Sequence, residues 1–305
     1  MAERAAAADV DLAVVVVTYN ALPWIERCLE SVADHPCVVV DNGSGDGTVA
    51  FVRDRFPDVT LVEQENRGLG AGWNAGLHAA GDRRWYLILN ADAWVLDDAV
   101  ARLVAAGEAD DRAAVVGPRL LNPDGSLQRS VRGFPTVWRL ATEFLFLRKL
   151  APRSQALNSF YAGGFAHDHE RTADWLMGAC LLVRGTAIAE VGGLDERFFL
   201  FNEEVDWCWR FREAGWRVLF TPDAEVVHVL GASHGGRLFG EQVVSHVRFL
   251  AKHGGEAEAD RARRLLVAAL RLRGMLFRGE RGARYRDAAR RLAAVRVPEL
   301  LDAQT

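Results

Sequence analysis

The stretch Trp85-Tyr86-Leu87-Ile88-Leu89-Asn90-Ala91-Asp92 changes abruptly from apolar to polar residues. Its continuous apolar run is typical of a strand that is buried on both faces of a parallel sheet. In open α/β sheets, ligands bind beyond the carboxyl ends of the strands. A carboxylate at Asp92 is therefore well placed to bind a divalent cation, because Mg²⁺ and Mn²⁺ prefer oxygen ligands. Alternatively, Asp92 caps a helix that begins near residues 96–98, since aspartate is a favoured N-cap residue.

Two earlier segments also resemble strands that end in polar residues. Residues 14–20 read Val-Val-Val-Val-Thr-Tyr-Asn, a β-branched run that predicts a central strand. Residues 38–41 read Val-Val-Val-Asp and lead into a glycine-rich loop. A helical pattern in residues 23–33 separates the two, and this alternation predicts a right-handed parallel βαβ unit. The Asp-Asn-Gly-Ser that ends the second strand is also ordinary turn chemistry, which accounts for the glycine better than for Asp41 at the strand tip.

Residues 66–76 form a second glycine-rich segment, Asn-Arg-Gly-Leu-Gly-Ala-Gly-Trp-Asn-Ala-Gly. The segment is not a dinucleotide-binding fingerprint, because Trp73 stands in the place of the third glycine and the fingerprint should follow the first strand. It is instead a glycine-rich entry to a helix, and it carries Asn66, Arg67 and Asn74. Such an entry suits a diphosphate or a sugar at the helix N-terminus.

The composition is that of one large domain, or of one domain with an appendage: 305 residues, 50% of them hydrophobic and 26% charged. No apolar run approaches the ~18 residues of a membrane-spanning helix, and residues 2–11 lack the pattern of a signal peptide. The four cysteines show no CxxC spacing, which favours free thiols in a reducing compartment. We therefore expect a cytoplasmic protein.

The net charge conceals a basic C-terminal segment. Residues 261–296 contain twelve arginines and two acids, a local charge of +10 within a total of −4, which leaves −14 for the rest. Apolar residues are interleaved with these arginines, as in basic helices that lie on membranes. Residues 137–150 are also very apolar and too short to span a bilayer. Both segments favour peripheral membrane contact, with burial in the protein as the alternative for residues 137–150 and a solvated or homo-oligomer-forming helical pair as the alternative for residues 261–296. No aromatic platform accompanies the charge, so nucleic-acid binding is not expected.

Taken together, the motifs resemble an inverting glycosyltransferase of family 2 with the GT-A fold. The resemblance covers residues 12–236, and the order of motifs is similar to that of bacterial rhamnosyltransferases and galactofuranosyltransferases of cell-envelope assembly. It implies a Rossmann-like, mostly parallel α/β sheet flanked by helices in residues 1–236, followed by a basic amphipathic helical extension in residues 237–305. The matching motifs are Val14–Asn20, Asp41–Thr48, Asn66–Gly68 with Asn74-x-Gly76, Leu89–Asp92, Gly117-Pro118, Asn122–Ser126, Trp175–Arg184, Gly192–Phe199, Asn202–Asp206 and His228-x-x-Gly231-x-Ser233.

The resemblance implies a site for a nucleotide-diphosphate sugar and a divalent metal, Mg²⁺ or Mn²⁺. Asp41 would accept a hydrogen bond from a pyrimidine ring, since a carboxylate suits an imide N–H. Asp92 and His228 would bind the metal, which bridges the diphosphate. Many relatives have a second acid where this chain has Asn90, and the amide leaves one negative charge fewer. The other donor-binding residues implied by the resemblance are Thr18, Asn20, Asn66, Arg67, Gly68 and Asn74.

Three acids follow Asn202 in the sequence Asn-Glu-Glu-Val-Asp, where a helix should begin with Asn202 as its N-cap. Acids in a first helical turn also complement the helix macrodipole, which is the structural alternative. The resemblance implies that Glu204 is the general base that takes the proton of the acceptor hydroxyl, with Glu203 or Asp206 as substitutes. Most similar sequences have the shorter aspartate at the position of Glu204.

The resemblance further implies a sugar-binding wall that includes Trp175, Met177 and Gly178, although a core role suits the two large side chains as well. The implied activity is hexosyl transfer, with L-rhamnose moved from dTDP-rhamnose to a polyprenyl-linked or polysaccharide acceptor at the inner face of the cytoplasmic membrane. A galactofuranosyl- or other UDP-sugar transferase is the second hypothesis. A non-catalytic module that binds sugar nucleotides or membranes is the third, and Asn90 and Glu204 are the residues that keep it open.

Overall fold

The structure, a computed structural model, describes residues 11–229 and 238–302 of the chain. Its strands are β1 (Leu12–Thr18), β2 (Cys37–Asp41), β3 (Thr60–Glu63), β4 (Trp85–Asn90), β5 (Ala93–Val95), β6 (Ala113–Leu121), β7 (Leu127–Gln128), β8 (Val131–Arg132), β9 (Arg171–Thr172), β10 (Trp175–Leu176), β11 (Cys180–Arg184) and β12 (Arg217–His228). Its α-helices are α1 (Ile25–Glu30), α2 (Thr48–Arg55), α3 (Leu69–Ala80), α4 (Ala99–Glu108), α5 (Val137–Phe144), α6 (Gly185–Val191), α7 (Glu203–Glu213), α8 (Phe239–Gly254), α9 (Glu256–Leu276) and α10 (Gly279–Ala294). Short 3₁₀ helices lie at Leu147–Lys149, Ser159–Tyr161 and Val297–Leu301.

The central sheet has ten strands, and its main path has the order β3-β2-β1-β4-β11-β6-β12-β5. The first four strands of this path are parallel. Strand β11 runs antiparallel to β4 and β6, whereas β12 is parallel to β6 and antiparallel to β5. Strands β8 and β10 form a separate two-stranded sheet. These pairings confirm the predicted α/β fold with a mostly parallel central sheet.

Alternate residues of β1 face opposite sides of the sheet, so the strand is buried on both. Val14 and Val16 pack in one hydrophobic core, while Val15 and Val17 pack in the other. This double burial explains the uninterrupted valine run. The second core also contains side chains of all three C-terminal helices, including Leu266 of α9. The basic helical extension therefore shares a hydrophobic core with the sheet.

Polar contacts fix helix α8 against the sheet domain. Nζ of Lys252 lies 2.7 Å from Oδ2 of Asp195 and 2.6 Å from Oδ1 of Asp206. Oγ of Ser245 donates a hydrogen bond to the carbonyl oxygen of Leu200 at 3.1 Å. Because α8 is held beside α7 in this way, its residues can contribute to a site that α7 also lines.

The polar tips of three parallel strands are neighbours at the carboxyl edge of the sheet. Thr18 at the end of β1 lies opposite Asp41 at the end of β2. On the other side of β1, Val17 lies opposite Asn90 at the end of β4. The strand register therefore brings together the segments from which the sequence predicted a binding site.

Candidate functional site

A cavity of about 390 Å³ opens at the carboxyl edge of the sheet. Its size is within the range usual for small-molecule sites. The wall is built by the ends of β1 and β4, the entry to α3, the segment around β10, the start of α7, and α8. It brings together eleven of the predicted site residues: Thr18, Asn66, Gly68, Asn90, Asp92, Trp175, Met177, Gly178, Glu203, Glu204 and His228.

The remaining predicted residues, Asn20, Asp41, Arg67, Asn74 and Asp206, do not line this cavity. Asn74 fastens α3 to the loop before α7, because its amide bonds the backbone N–H and carbonyl of Leu194 at 2.8 and 2.9 Å. Arg67 reaches the same loop, with Nη2 2.6 Å from Oε2 of Glu196. Both side chains therefore support the glycine-rich segment that faces the cavity.

Asp41 is buried beside the wall residue Thr18. Its Oδ1 accepts hydrogen bonds from the backbone N–H groups of Gly43 and Ser44 at 2.9 and 2.8 Å. Its Oδ2 is buried with no hydrogen-bond partner, and so is Oγ1 of Thr18. Buried polar atoms normally have partners. The strand tips therefore hold two buried side-chain oxygen atoms without a hydrogen-bond partner. Oδ1 of Asn20 accepts a hydrogen bond from the backbone N–H of Gly45 at 2.8 Å and so holds the loop that follows β2.

Asp206 is committed to structural contacts. Its Oδ2 lies 2.8 Å from Nε of Arg210, and its Oδ1 lies 2.6 Å from Nζ of Lys252 and 2.8 Å from Nε2 of His253. Residues two positions apart in an α-helix, such as Glu204 and Asp206, are separated by about 200° of rotation. Asp206 consequently points away from the direction of Glu204 and joins α7 to α8.

Asp92 and His228 face each other in the wall. Helix α4 begins at Ala99 with Asp98 in the N-cap position, so Asp92 is not its cap. Oδ1 of Asp92 lies 3.5 Å from Nε2 of His228, and both side chains are buried. Burial raises the pKa of Asp92 to about 6 and lowers the pKa of His228 to about 4. Because burial disfavours both charged forms, a cation between the two groups would stabilise the carboxylate.

A glutamine that the sequence did not indicate orients His228. Oε1 of Gln128 lies 2.7 Å from Nδ1 of His228. The amide nitrogen of Gln128 donates to Oδ1 of Asn122 at 2.9 Å and to the carbonyl oxygen of His228 at 3.2 Å. Since that nitrogen is already committed, Oε1 is the acceptor and Nδ1 of His228 carries the proton. The lone pair of Nε2 then points at Asp92.

Asp92 and His228 alone offer too few donor atoms for a metal ion, so a bound metal would also need oxygen atoms of a ligand such as a diphosphate. Among the described residues, no three His, Cys, Asp or Glu side chains cluster as a metal site. Asp92, His228 and the amide oxygen of Asn90 are a donor set that leaves coordination positions for oxygen atoms of a diphosphate and for water. Gly231 and Ser233, which the sequence associates with His228, lie outside the described residues.

Two adjacent carboxyl groups, those of Glu203 and Glu204, lie in the wall at the start of α7. One oxygen of each is buried without a hydrogen-bond partner. Burial raises the pKa of Glu204 to about 7, and burial together with the charge of Glu204 raises the pKa of Glu203 well above its usual value. Gly178 packs against Trp73 and Glu204: a Cβ there would make ordinary contact with Cγ of Glu204 at 3.5 Å but would lie only 2.9 Å from the ring of Trp73.

The far side of the cavity is lined by residues that sequence reasoning missed. They come from β8, the second 3₁₀ helix and α8: Arg132, Phe160, Tyr161, Gln242 and His246. Asn202 occupies the N-cap position of α7, as expected, but its side chain lies 3.0 Å from Nδ1 of His246 and makes no capping bond. The amphipathic pattern of α8 indicates a buried face, yet nothing in it reveals that this face reaches the cavity.

The fold and the cavity agree with the comparison to known families. The model described as glycosyl transferase family 2 matches residues 13–167, about half of the chain. The chain belongs to this family and is a glycosyltransferase. The interpretation as a non-catalytic module is therefore set aside.

Two curated relatives carry rhamnosyltransferase names. The N-acetylglucosaminyl-diphospho-decaprenol L-rhamnosyltransferase of Mycobacterium tuberculosis is 34% identical over 252 residues, which are 77% of this chain and 80% of the relative. Rhamnosyltransferase WbbL of Escherichia coli K12 is 28% identical over 111 residues, which are 36% and 38% of the two chains. These likenesses confirm the predicted resemblance to rhamnosyltransferases of the family.

A solved structure shares the fold. The mannosyltransferase PcManGT from Pyrobaculum calidifontis, in complex with GDP-Man and Mn²⁺, matches with a TM-score of 0.56 over 96% of this chain and 88% of its own. The identity is 20%, so the likeness concerns the fold alone.

Proposed function

We propose that this glycosyltransferase moves L-rhamnose from dTDP-rhamnose to a hydroxyl group of a lipid-diphosphate-linked glycan, with inversion at the anomeric carbon. The observation that carries the proposal is that the Asp92–His228 pair and the Glu204 carboxyl group line one cavity. The sugar and the acceptor are suggested by the name of the M. tuberculosis relative, whose acceptor is a diphospho-decaprenol.

The donor nucleotide would bind across the tips of β1 and β2. The unpartnered Oδ2 of Asp41 suits the imide N–H of thymine or uracil. The diphosphate would lie near the N-terminus of α3, where backbone N–H groups favour anions. Gly68 precedes this helix with φ +103°, and a Cβ there would lie 2.3 Å from the carbonyl oxygen of Phe199. Only glycine therefore fits at position 68, where the backbone packs closely against Phe199.

A divalent cation, Mg²⁺ or Mn²⁺, would be held by Asp92 and His228 with Asn90 nearby. The two facing acceptor atoms, 3.5 Å apart, support this assignment because they repel one another unless a proton or cation lies between them. The bound ion would supply charge stabilisation for the departing nucleoside diphosphate. The residues of the chain contribute the acceptor atoms and their fixed orientation.

Glu204 would be the general base. As the acceptor oxygen bonds to the anomeric carbon, its proton passes to the Glu204 carboxylate, and the bond from carbon to the diphosphate oxygen breaks with its electron pair on the departing nucleotide. A base works best when its pKa lies near the working pH. The pKa of Glu204, about 7, satisfies this condition, whereas burial and the charge of Glu204 hold the pKa of Glu203 well above its usual value.

Membrane contact would bring the enzyme to a lipid-linked acceptor. Five exposed apolar side chains form what we call the apolar tip, and their exposed fractions run from 37% to 79%: Leu145, Leu150, Leu272, Met275 and Leu276. The two parts of the tip are joined, because Nε of Arg273 donates to the carbonyl oxygen of Phe144 at 2.8 Å. In the described residues, no helix has both the length and the apolarity to cross a bilayer.

Cationic side chains surround the apolar tip. Lys149 lies over the ring of Phe146 and Arg281 over that of Phe277, while Arg271 and Arg278 are exposed. An apolar patch with basic neighbours suits an anionic bilayer surface, where each cation contributes about 1 kcal/mol. The four cysteines are free, which fits a reducing, cytoplasmic side of that membrane.

A panel of donors tests the proposal. Thermal shift should be measured with dTDP-rhamnose, UDP-galactofuranose, UDP-galactose, UDP-GlcNAc and GDP-mannose, each with and without Mn²⁺, because a ligand of the native state raises Tm. A metal-dependent rise with dTDP-rhamnose is expected. A rise with a UDP-sugar alone would favour the second hypothesis, a galactofuranosyl- or other UDP-sugar transferase. A rise with GDP-mannose alone would contradict the base preference assigned to Asp41.

A further inference from the structure

Arg132 is the one Lys or Arg side chain that lines the cavity within residues 11–229 and 238–302. Its backbone is fixed, because Arg132 of β8 pairs with Trp175 of β10 in the small antiparallel sheet. Trp175 is itself held by a 2.9 Å hydrogen bond from its indole N–H to the carbonyl oxygen of Gly133. The guanidinium group is therefore presented to the cavity by a rigid wall.

The charge of Arg132 has no counter-ion in the described part of the protein. No carboxylate there lies within 4.0 Å, and the guanidinium donates one bond, a 3.3 Å contact with the carbonyl oxygen of Val131. Burial lowers its pKa to about 10, so the group is still a cation at neutral pH. The side chain is half-buried, and Glu143, which favours its charged form, is already paired with Arg148. Such a cation in a cavity wall suits an anionic ligand.

Arg148, which lies near Arg132, differs from it because it has an ion-pair partner. The guanidinium carbons of Arg132 and Arg148 both lie close to the ring of Tyr161, at 4.6 and 4.8 Å from its centroid. Arg148 forms an ion pair with Glu143 and does not line the cavity, whereas Arg132 lines the cavity and forms no ion pair in the described part of the protein. Tyr161 also limits the orientations of Arg132, which leaves its remaining N–H donors available on the cavity side.

We propose that Arg132 binds a diphosphate group in the cavity. A guanidinium group matches two oxygen atoms of a phosphate with parallel hydrogen bonds, and these charge-assisted bonds are about twice as strong as neutral ones. Among the cavity-lining side chains of the described residues, Arg132 supplies the one Lys or Arg charge, which favours an anion beside it. Two sources share this chemistry: the donor nucleotide and, if the proposed function is right, the lipid diphosphate of the acceptor.

Binding measurements on the full chain test this proposal without requiring turnover. Calorimetric titration with dTDP and with farnesyl diphosphate, in the presence of Mg²⁺, should compare wild type with Arg132→Gln and Arg132→Lys. Arg148→Gln is the matched control, since it removes the other arginine beside Tyr161, which does not line the cavity. We expect Arg132→Gln to weaken at least one ligand about tenfold or more, Arg132→Lys to lie between, and Arg148→Gln to bind as wild type does.

The pattern of loss identifies the source. If only dTDP binding is weakened, Arg132 contacts the diphosphate of the donor. If only farnesyl diphosphate binding is weakened, Arg132 contacts the diphosphate of the acceptor. Binding of both ligands within about twofold of wild type by Arg132→Gln would overturn the proposal. If the Tm of Arg132→Gln shows that this variant is unfolded, unchanged binding by Arg132→Lys would overturn the proposal. Lysine keeps the charge but cannot donate two parallel hydrogen bonds as a guanidinium group does. Arg132-dependent binding without rhamnosyl transfer would contradict the proposed donor sugar and not the diphosphate site.

Discussion

Nε2 of His228 lies 3.5 Å from Oδ1 of Asp92, and the nitrogen presents a lone pair rather than a proton to that oxygen. The orientation follows from Gln128, whose Oε1 accepts the Nδ1 proton at 2.7 Å. Two buried acceptor atoms that face each other support the proposed cation site. The orientation of His228 therefore depends on a residue outside the proposed metal-binding set.

Gln128→Met should weaken metal binding, because it removes the acceptor that fixes the tautomer of His228. Loss of such an outer partner typically costs 10- to 100-fold in metal affinity, so we expect an increase in the Mn²⁺ Kd of about 10-fold or more. Mn²⁺ binding should be measured by electron paramagnetic resonance in the presence of dTDP. Gln128→Glu keeps the acceptor and should retain most of the affinity. Equal loss in both variants would contradict the tautomer argument.

Glu204→Gln should abolish most of the activity, because an amide cannot accept the hydroxyl proton. In the wild type, kcat/KM should rise about tenfold between pH 6 and pH 8, since the carboxylate forms as the pH passes its pKa of about 7. Glu203→Gln should keep both the activity and the pH midpoint, because Glu203 is not the proposed base and its burial favours the neutral form, which an amide resembles. Reversal of the two variants would assign the base to Glu203.

The same pKa predicts how stability depends on pH. The folded pKa of Glu204, about 7, exceeds the ordinary value of 4.5, so its contribution to stability is full below about pH 4.5 and is lost as the pH rises through about 7. Glu204→Gln should therefore raise Tm relative to wild type by about 2–5 °C at pH 8.5 and have little effect at pH 4.5. The exposed Glu213 of the same helix is the control, and Glu213→Gln should leave Tm unchanged at both pH values.

Charged substitutions in the apolar tip should reduce membrane binding. Met275 and Leu276 are 79% and 63% exposed, so Met275→Glu with Leu276→Glu should fold while losing flotation with anionic liposomes at low salt. Ala105→Glu with Ala109→Glu adds the same charge at exposed positions in and just after α4 and should float as wild type does. Equal flotation of the two double variants would show that the tip does not contact the membrane.

The sequence predicted the parts of the site that depend on local order. A strand buried on both faces, such as β4, is visible as an apolar run, and parallel strands put their tips at one edge. Asp92 and Glu204 could therefore be assigned to a common site by motif order. The sequence alone keeps Asp206 as a substitute base, although residues two apart on a helix do not share a face.

The rest of the site depends on long-range packing. Arg132 lies in a two-residue strand, and His246 belongs to a helix that looks like part of a separate extension. Neither position carries a local signal, because the contacts that bring them to the cavity join segments far apart in the chain. Gln128 was missed for the same reason: its partner His228 follows it by 100 residues.

The most direct test of the account is transfer itself. The purified chain should be incubated with dTDP-L-rhamnose, Mn²⁺ and a short-chain N-acetylglucosaminyl-diphospho-prenol, and the product analysed by mass spectrometry and by NMR of the anomeric centre. The account predicts addition of one deoxyhexose with inverted anomeric configuration, lost in Asp92→Asn and in Glu204→Gln. A product with retained configuration, or full turnover by Glu204→Gln, would contradict it.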